Sequence, residues 1–85
     1  MLQSTVAFDV VVWQEGDVFV SQCLNVDVSS YGDSVEEALE SLKEALEARL
    51  SGASGSDIGD IFKNRLNLPF PEEGIRREIS LDVRN

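Results

Sequence analysis

The absence of histidine limits the chemistry that this chain can attempt. The usual general base at neutral pH, the commonest zinc ligand and any Ser-His or Cys-His pair are all missing. Cys23 is the single cysteine, so no disulfide can form within the chain. It reads as a small apolar core residue before it reads as a reactive thiol. Carboxylates are plentiful, and a metal-dependent nuclease is the enzyme they would suit. Asp9 lies on the opening strand and Glu37 begins a helix. Two-metal phosphoryl chemistry needs carboxylates that converge on metals about 4 Å apart. Neither Asp33 nor Asp82 completes such a set, Glu37 has a competing task as a helix cap, and Asp9 reads as an exposed or edge-facing residue. No catalytic residue, metal ligand or cofactor is therefore expected.

A second group of acids has a regular spacing. Glu36, Glu40, Glu44 and Glu47 recur along one side of a helix, with Lys43 among them. The plain reading is a solvated face. The sharper one is a surface that attracts a basic partner. The formal charge is −9, and it is uneven. Residues 1–56 hold ten acids against Lys43 and Arg49, whereas residues 57–85 hold six acids against five basic residues. That balance argues against direct binding of nucleic acid through its phosphates. It permits a basic protein as partner, including one that itself binds nucleic acid.

The helix that would carry these acids is announced by Tyr31-Gly32-Asp33-Ser34. Gly32 is free to take a positive φ, and Asp33 suits a turn. Ser34 can cap the helix by accepting a bond from the N–H of Glu37, whose carboxylate can reach back to the N–H of Ser34. Glu36 and Glu37 also complement the positive end of the helix dipole. Val35, Ala38, Leu39, Leu42, Ala45, Leu46 and Leu50 fall within an arc of about 140° and need a sheet or another helix to lie on.

The remaining elements read as strands and turns. Val6 to Trp13 is β-branched and aromatic, with both faces largely apolar apart from Asp9, so it is expected at the centre of a sheet with its second face partly covered. Gln14 to Asp17 turns the chain, with Gly16 in the left-handed position. Val18 to Cys23 returns, Leu24 to Val26 makes a corner, and Asp27 to Tyr31 is a short polar edge strand. After the helix, Ser51 to Ser56 is a flexible connector, and 51–74 as a whole links helix to last strand. Within it, Asp57 to Leu66 is read as a turn or two of helix, Leu68 to Pro71 as extended and Glu72 to Gly74 as a turn. Ile75 to Val83 alternates: Ile75, Ile79, Leu81 and Val83 on one face, interrupted only by Arg77.

The expected fold is therefore α+β, in the order β-β-β-α-β, forming one domain over residues 1–85. The sheet is mainly antiparallel with the amphipathic helix packed on one face, and a right-handed crossover lays the last strand parallel to the first. A chain of 85 residues buries only about 60–65% of its unfolded surface, which favours association of subunits. No signal peptide or membrane-length apolar run is visible, so a cytoplasmic location is expected.

Three segments also resemble a known family. Val18-Phe19-Val20-Ser21-Gln22-Cys23-Leu24, Tyr31 to Leu39 and Leu42-Lys43-Glu44-Ala45 are similar to the HicB-like antitoxins, as is Pro69-Phe70-Pro71 ahead of the last strand. The similarity runs through most of residues 6–83 and is most specific at Gly32 to Leu39. It implies a partial ribonuclease-H-like fold and a role in binding and occluding a small, basic, mRNA-cleaving toxin of a type II toxin–antitoxin pair. Leu24 stands where that family often has proline. Many relatives continue into a domain that binds operator DNA, and none is expected in a chain ending at Asn85. The expectation is a non-catalytic binding protein, homodimeric or of higher order, with no direct nucleic-acid or membrane binding. The alternatives are a solitary oligomeric scaffold or ligand-binding protein of the same fold, self-associating through Trp13, Phe19 and Phe70, or the nuclease.

Overall fold

The computed structural model describes residues 3–50 and 69–84. These form an α+β unit in the order β1 (Gln3–Glu15), β2 (Val18–Cys23), β3 (Ser29–Gly32), α1 (Val35–Leu50) and β4 (Ile75–Arg84). The sheet order is β3-β2-β1-β4, and every neighbouring pair is antiparallel. As expected, β1 is central. It is longer than its apolar run because two partners share it: β4 supports Gln3 to Val12, and β2 supports Val10 to Glu15. Polar residues at both ends of β1 thus gain ladder partners that β-propensity alone does not reveal.

The first turn is as anticipated, with Gly16 at φ 60° and the Gln14 side-chain amide donating to the Gly16 carbonyl at 3.2 Å. The corner after β2 is buried at Leu24, Asn25 and Val26. The Leu24 N–H donates to the Asp9 carbonyl at 2.8 Å, and the Asp9 N–H donates to Asn25 Oδ1 at 2.9 Å. The Val28 N–H turns back to the Val26 carbonyl at 2.7 Å. It is therefore lost to the ladder, and β3 starts at Ser29 rather than Asp27.

The helix lies across one face of the sheet. Ala38, Leu42 and Leu46 are fully buried against Phe8, Val10, Val12, Cys23, Ile79 and Leu81. The flanks of this core are closed by Val6, Phe19, Val28, Val35, Leu39 and Leu50. Ser21, also fully buried beside this core, donates its hydroxyl to the Ala38 carbonyl at 2.8 Å. That bond ties β2 to the first turns of α1 and leaves no buried hydroxyl unpaired. Cys23 is a free thiol within the core, in keeping with its apolar reading.

The helix cap forms with one change of partner. Ser34 Oγ accepts the Glu37 N–H at 3.1 Å, as expected, but the Glu37 carboxylate accepts from Asp33 N–H at 2.8 Å rather than from Ser34. Gly32 also differs from expectation, since the only glycine with a positive φ among the described residues is Gly16. A Cβ on Gly32 would lie 2.6 Å from the Ala38 nitrogen and 2.7 Å from Glu37 Cβ. Glycine is needed there so that the first turn of α1 can press directly on the end of β3. Gly32→Ala is expected to destabilise the fold by about 2 kcal/mol, because helix backbone must retreat. Urea unfolding measures this, and a change within about 0.5 kcal/mol would show that the close approach is dispensable.

The direction of β4 corrects the expected topology. Ile75 pairs with Val12 and Leu81 with Val6, so β4 runs antiparallel to β1, not parallel. Register explains it. Gly32 lies opposite Phe19, at the hairpin end of the sheet, and Ile75 enters beside Val12 at that same end. A 16-residue helix covers about 24 Å, so the chain must return that distance before β4 begins. The 24 residues from 51 to 74 have ample reach for the return, and a crossover by the helix alone does not describe the connection. The connector and helical turn expected within 51–68 lie outside the described residues. Beyond them, Glu72 and Glu73 turn as expected, with the Gly74 N–H donating to the Pro71 carbonyl at 3.0 Å.

The second face of the sheet is partly covered. Val11 is fully buried there, with the Gly74 backbone against it. The Arg76 guanidinium stacks over the Phe70 ring, 5.3 Å from its centre. Trp13, Val20 and Tyr31 align across β1, β2 and β3, and Tyr31 is 69% exposed.

Candidate partner-binding surface

The helix that closes the core on one side turns its charge outward on the other. Glu36, Glu40, Glu44 and Glu47 are all exposed, as their spacing requires once Ala38, Leu42 and Leu46 face the sheet. Their surroundings differ. Glu40 and Glu44 line an open groove of about 400 Å³ together with Asp33, Glu37, Ser41 and Tyr31. Glu36 and Glu47 lie on the helix back, outside that groove. The structure thus gathers half of the expected stripe beside two further acids, Asp33 and Glu37, at the junction of α1 with β3.

Elementary packing produces this cluster. Gly32 brings the helix N-terminus down onto the end of β3, and the cap then holds the Glu37 carboxylate at the Asp33 N–H. Asp33, Glu37, Glu40 and Glu44 follow one another along the flank of α1 that overhangs β3. Single exposed ion pairs contribute little, about 0–1 kcal/mol each. Several like charges on one rim act instead through their summed field, which raises the encounter rate of an oppositely charged partner.

A second open groove, of about 520 Å³, adjoins the first and shares Tyr31 with it. Val18 and Val20 form its apolar floor, and Ser29 and Ser30 form the rim on β3. Tyr31 therefore stands between an acidic groove and an apolar one. Sequence reasoning left Tyr31 out of the candidate surface, although a signal was present. Gly32 must face the helix for α1 to approach, so its neighbour Tyr31 must face the other way, towards solvent.

The carboxylates considered for metal chemistry are separated by the fold. Asp9 shares a face with Val11 and Trp13, away from the helix, and is partly buried rather than exposed; it lies across from Glu78 of β4. Glu37 is on the helix side, engaged in the cap. Among the described residues, no three acidic or cysteine side chains gather as a metal site would need. No helix among them is long and apolar enough to cross a membrane. No family model, curated protein or solved structure matches this chain.

Proposed function

We propose that this chain is a non-catalytic binding protein that sequesters a small basic protein. The observation that carries the reading is the acidic rim made by Asp33, Glu37, Glu40 and Glu44 where α1 overhangs the end of β3, beside the exposed Tyr31. Carboxylates there can stand where RNA phosphates would lie on a basic nuclease, while Tyr31, Val18 and Val20 supply apolar contact. Charge then speeds association and apolar burial slows release. The resemblance of Gly32 to Leu39 to the HicB-like antitoxins makes the partner an mRNA-cleaving toxin, and the setting the cytoplasm.

The direct test mixes the purified chain with the product of any small basic reading frame found beside its own. A complex is expected at low salt, weakening as salt rises. No complex at low salt would overturn the proposal. One observation favours a second reading, self-association: the aligned Trp13, Val20 and Tyr31 on the face away from the helix. A native mass that rises with concentration in the absence of any partner would support it.

A further inference from the structure

The hydrogen-bonding sense of β3 follows from its register with β2. The Cys23 N–H donates to the Val28 carbonyl at 2.9 Å, and Gln22 pairs with Ser29. In an antiparallel ladder the bonding direction alternates along each strand. Ser30 and Gly32, together with the Val28 carbonyl, therefore turn their backbone groups towards β2. Ser29 and Tyr31 turn theirs outward, and among the described residues no strand lies on that side of β3. Both residues are exposed, and open space borders Ser29, Ser30 and Tyr31. An uncovered edge is a template for another strand, and sheet edges are commonly blunted by charged side chains or proline. The four residues of β3, Ser29-Ser30-Tyr31-Gly32, contain neither.

Charge decides which strand fits. A second copy pairing antiparallel through β3 would be related by a two-fold axis perpendicular to the sheet. Both helices would then lie on the same face of the continued sheet, side by side. Asp33, Glu37, Glu40 and Glu44 of one copy would face the same four acids of the other. Like charges set opposite each other oppose that assembly. An extended segment rich in lysine or arginine meets the opposite situation, since its cationic side chains on the helix side would reach the acidic groove. Its other face would meet Tyr31, Val18 and Val20.

We infer that β3 is the docking edge, and that a basic, extended segment of the partner adds to the sheet there as a fifth strand. Main-chain bonds to Ser29 and Tyr31 supply register, and the acidic groove selects cationic residues at alternate positions. This inference rests on the basic-partner reading above, but it specifies a mode of binding that the reading does not require.

The test uses a synthetic decapeptide of alternating lysine and valine, with a twin methylated on alternate backbone nitrogens. Amide hydrogen exchange is followed in the whole chain. The unmodified peptide is expected to slow exchange at Ser29 and Tyr31 by about tenfold or more, and the methylated twin to leave it unchanged. Tyr31→Pro removes an outward N–H that β2 does not use, a position where proline is tolerated. It should abolish the protection, whereas Tyr31→Thr should largely retain it. If the proline variant does not fold, the comparison of the two peptides on the native chain still decides. Equal protection by both peptides, protection confined to other strands, or none at all would overturn the inference. So would protection of Ser29 and Tyr31 that grows with protein concentration in the absence of peptide, because the occupant would then be a second copy. A small basic protein encoded beside this chain separates the two claims. If it binds the native chain and Tyr31→Pro equally well, edge docking fails and the sequestration reading stands. If it does not bind at all, the sequestration reading fails whatever the peptide does.

Discussion

Leu42→Ala is expected to destabilise the chain by about 3 kcal/mol. Leu42 is fully buried at the middle of the helix ridge, with Ala38 and Leu46 one turn to either side and the central strand β1 beneath. Truncation loses the transfer free energy of the removed methyl and methylene groups and leaves a cavity that a strand and a helix cannot readily close. For a chain of this length, the whole stability is on the order of 4–13 kcal/mol, so one residue holds a large fraction of it. The midpoint of thermal unfolding should fall by roughly 15 °C. The matched control is Glu47→Ala on the exposed helix back, expected to change stability by no more than about 0.5 kcal/mol. A small effect at Leu42 would mean that the helix does not supply the core.

The second large effect concerns binding. Glu40→Lys combined with Glu44→Lys reverses two charges in the groove while leaving the buried ridge untouched. Affinity for a small basic protein partner should fall about 100-fold at low salt, with most of the loss in association rate and much less of it at high salt. The same reversal at Glu36 and Glu47, which lie outside the groove, should cost several-fold less. Surface plasmon resonance at two ionic strengths separates the cases. Equal losses from both pairs would mean that net charge, not the groove beside β3, drives association.

Most of the fold was legible because period and punctuation agreed. The 3.6-residue recurrence of Ala38, Leu42 and Leu46 behind a Ser34 cap could be nothing but an amphipathic helix, and the alternation through Ile79 and Leu81 could only be a strand with one buried face. Three things were not legible, each for a non-local reason. The direction of β4 depends on where the chain returns after α1, and local pattern carries no information about that. The role of Gly32 depends on how closely a helix approaches a strand, so a glycine that looked like a turn residue proved to be a spacer. The acceptor site of Asn25 for the Asp9 N–H joins residues sixteen apart, and no periodicity marks it. The candidate surface was half visible. The spacing of Glu36, Glu40, Glu44 and Glu47 fixed which side of the helix is wet. Only the packing of α1 against β3 selects Glu40 and Glu44, and adds Asp33, Glu37 and Tyr31 to them.

The claim that this chain disarms a basic, RNA-cleaving partner is tested most directly by following cleavage itself. A labelled mRNA is incubated with a small basic nuclease that the chain binds, and the chain is added in increasing amounts. Cleavage is predicted to stop near a simple stoichiometric ratio, and to resume when Glu40 and Glu44 are both replaced by lysine. Undiminished cleavage in the presence of excess native chain would contradict the account.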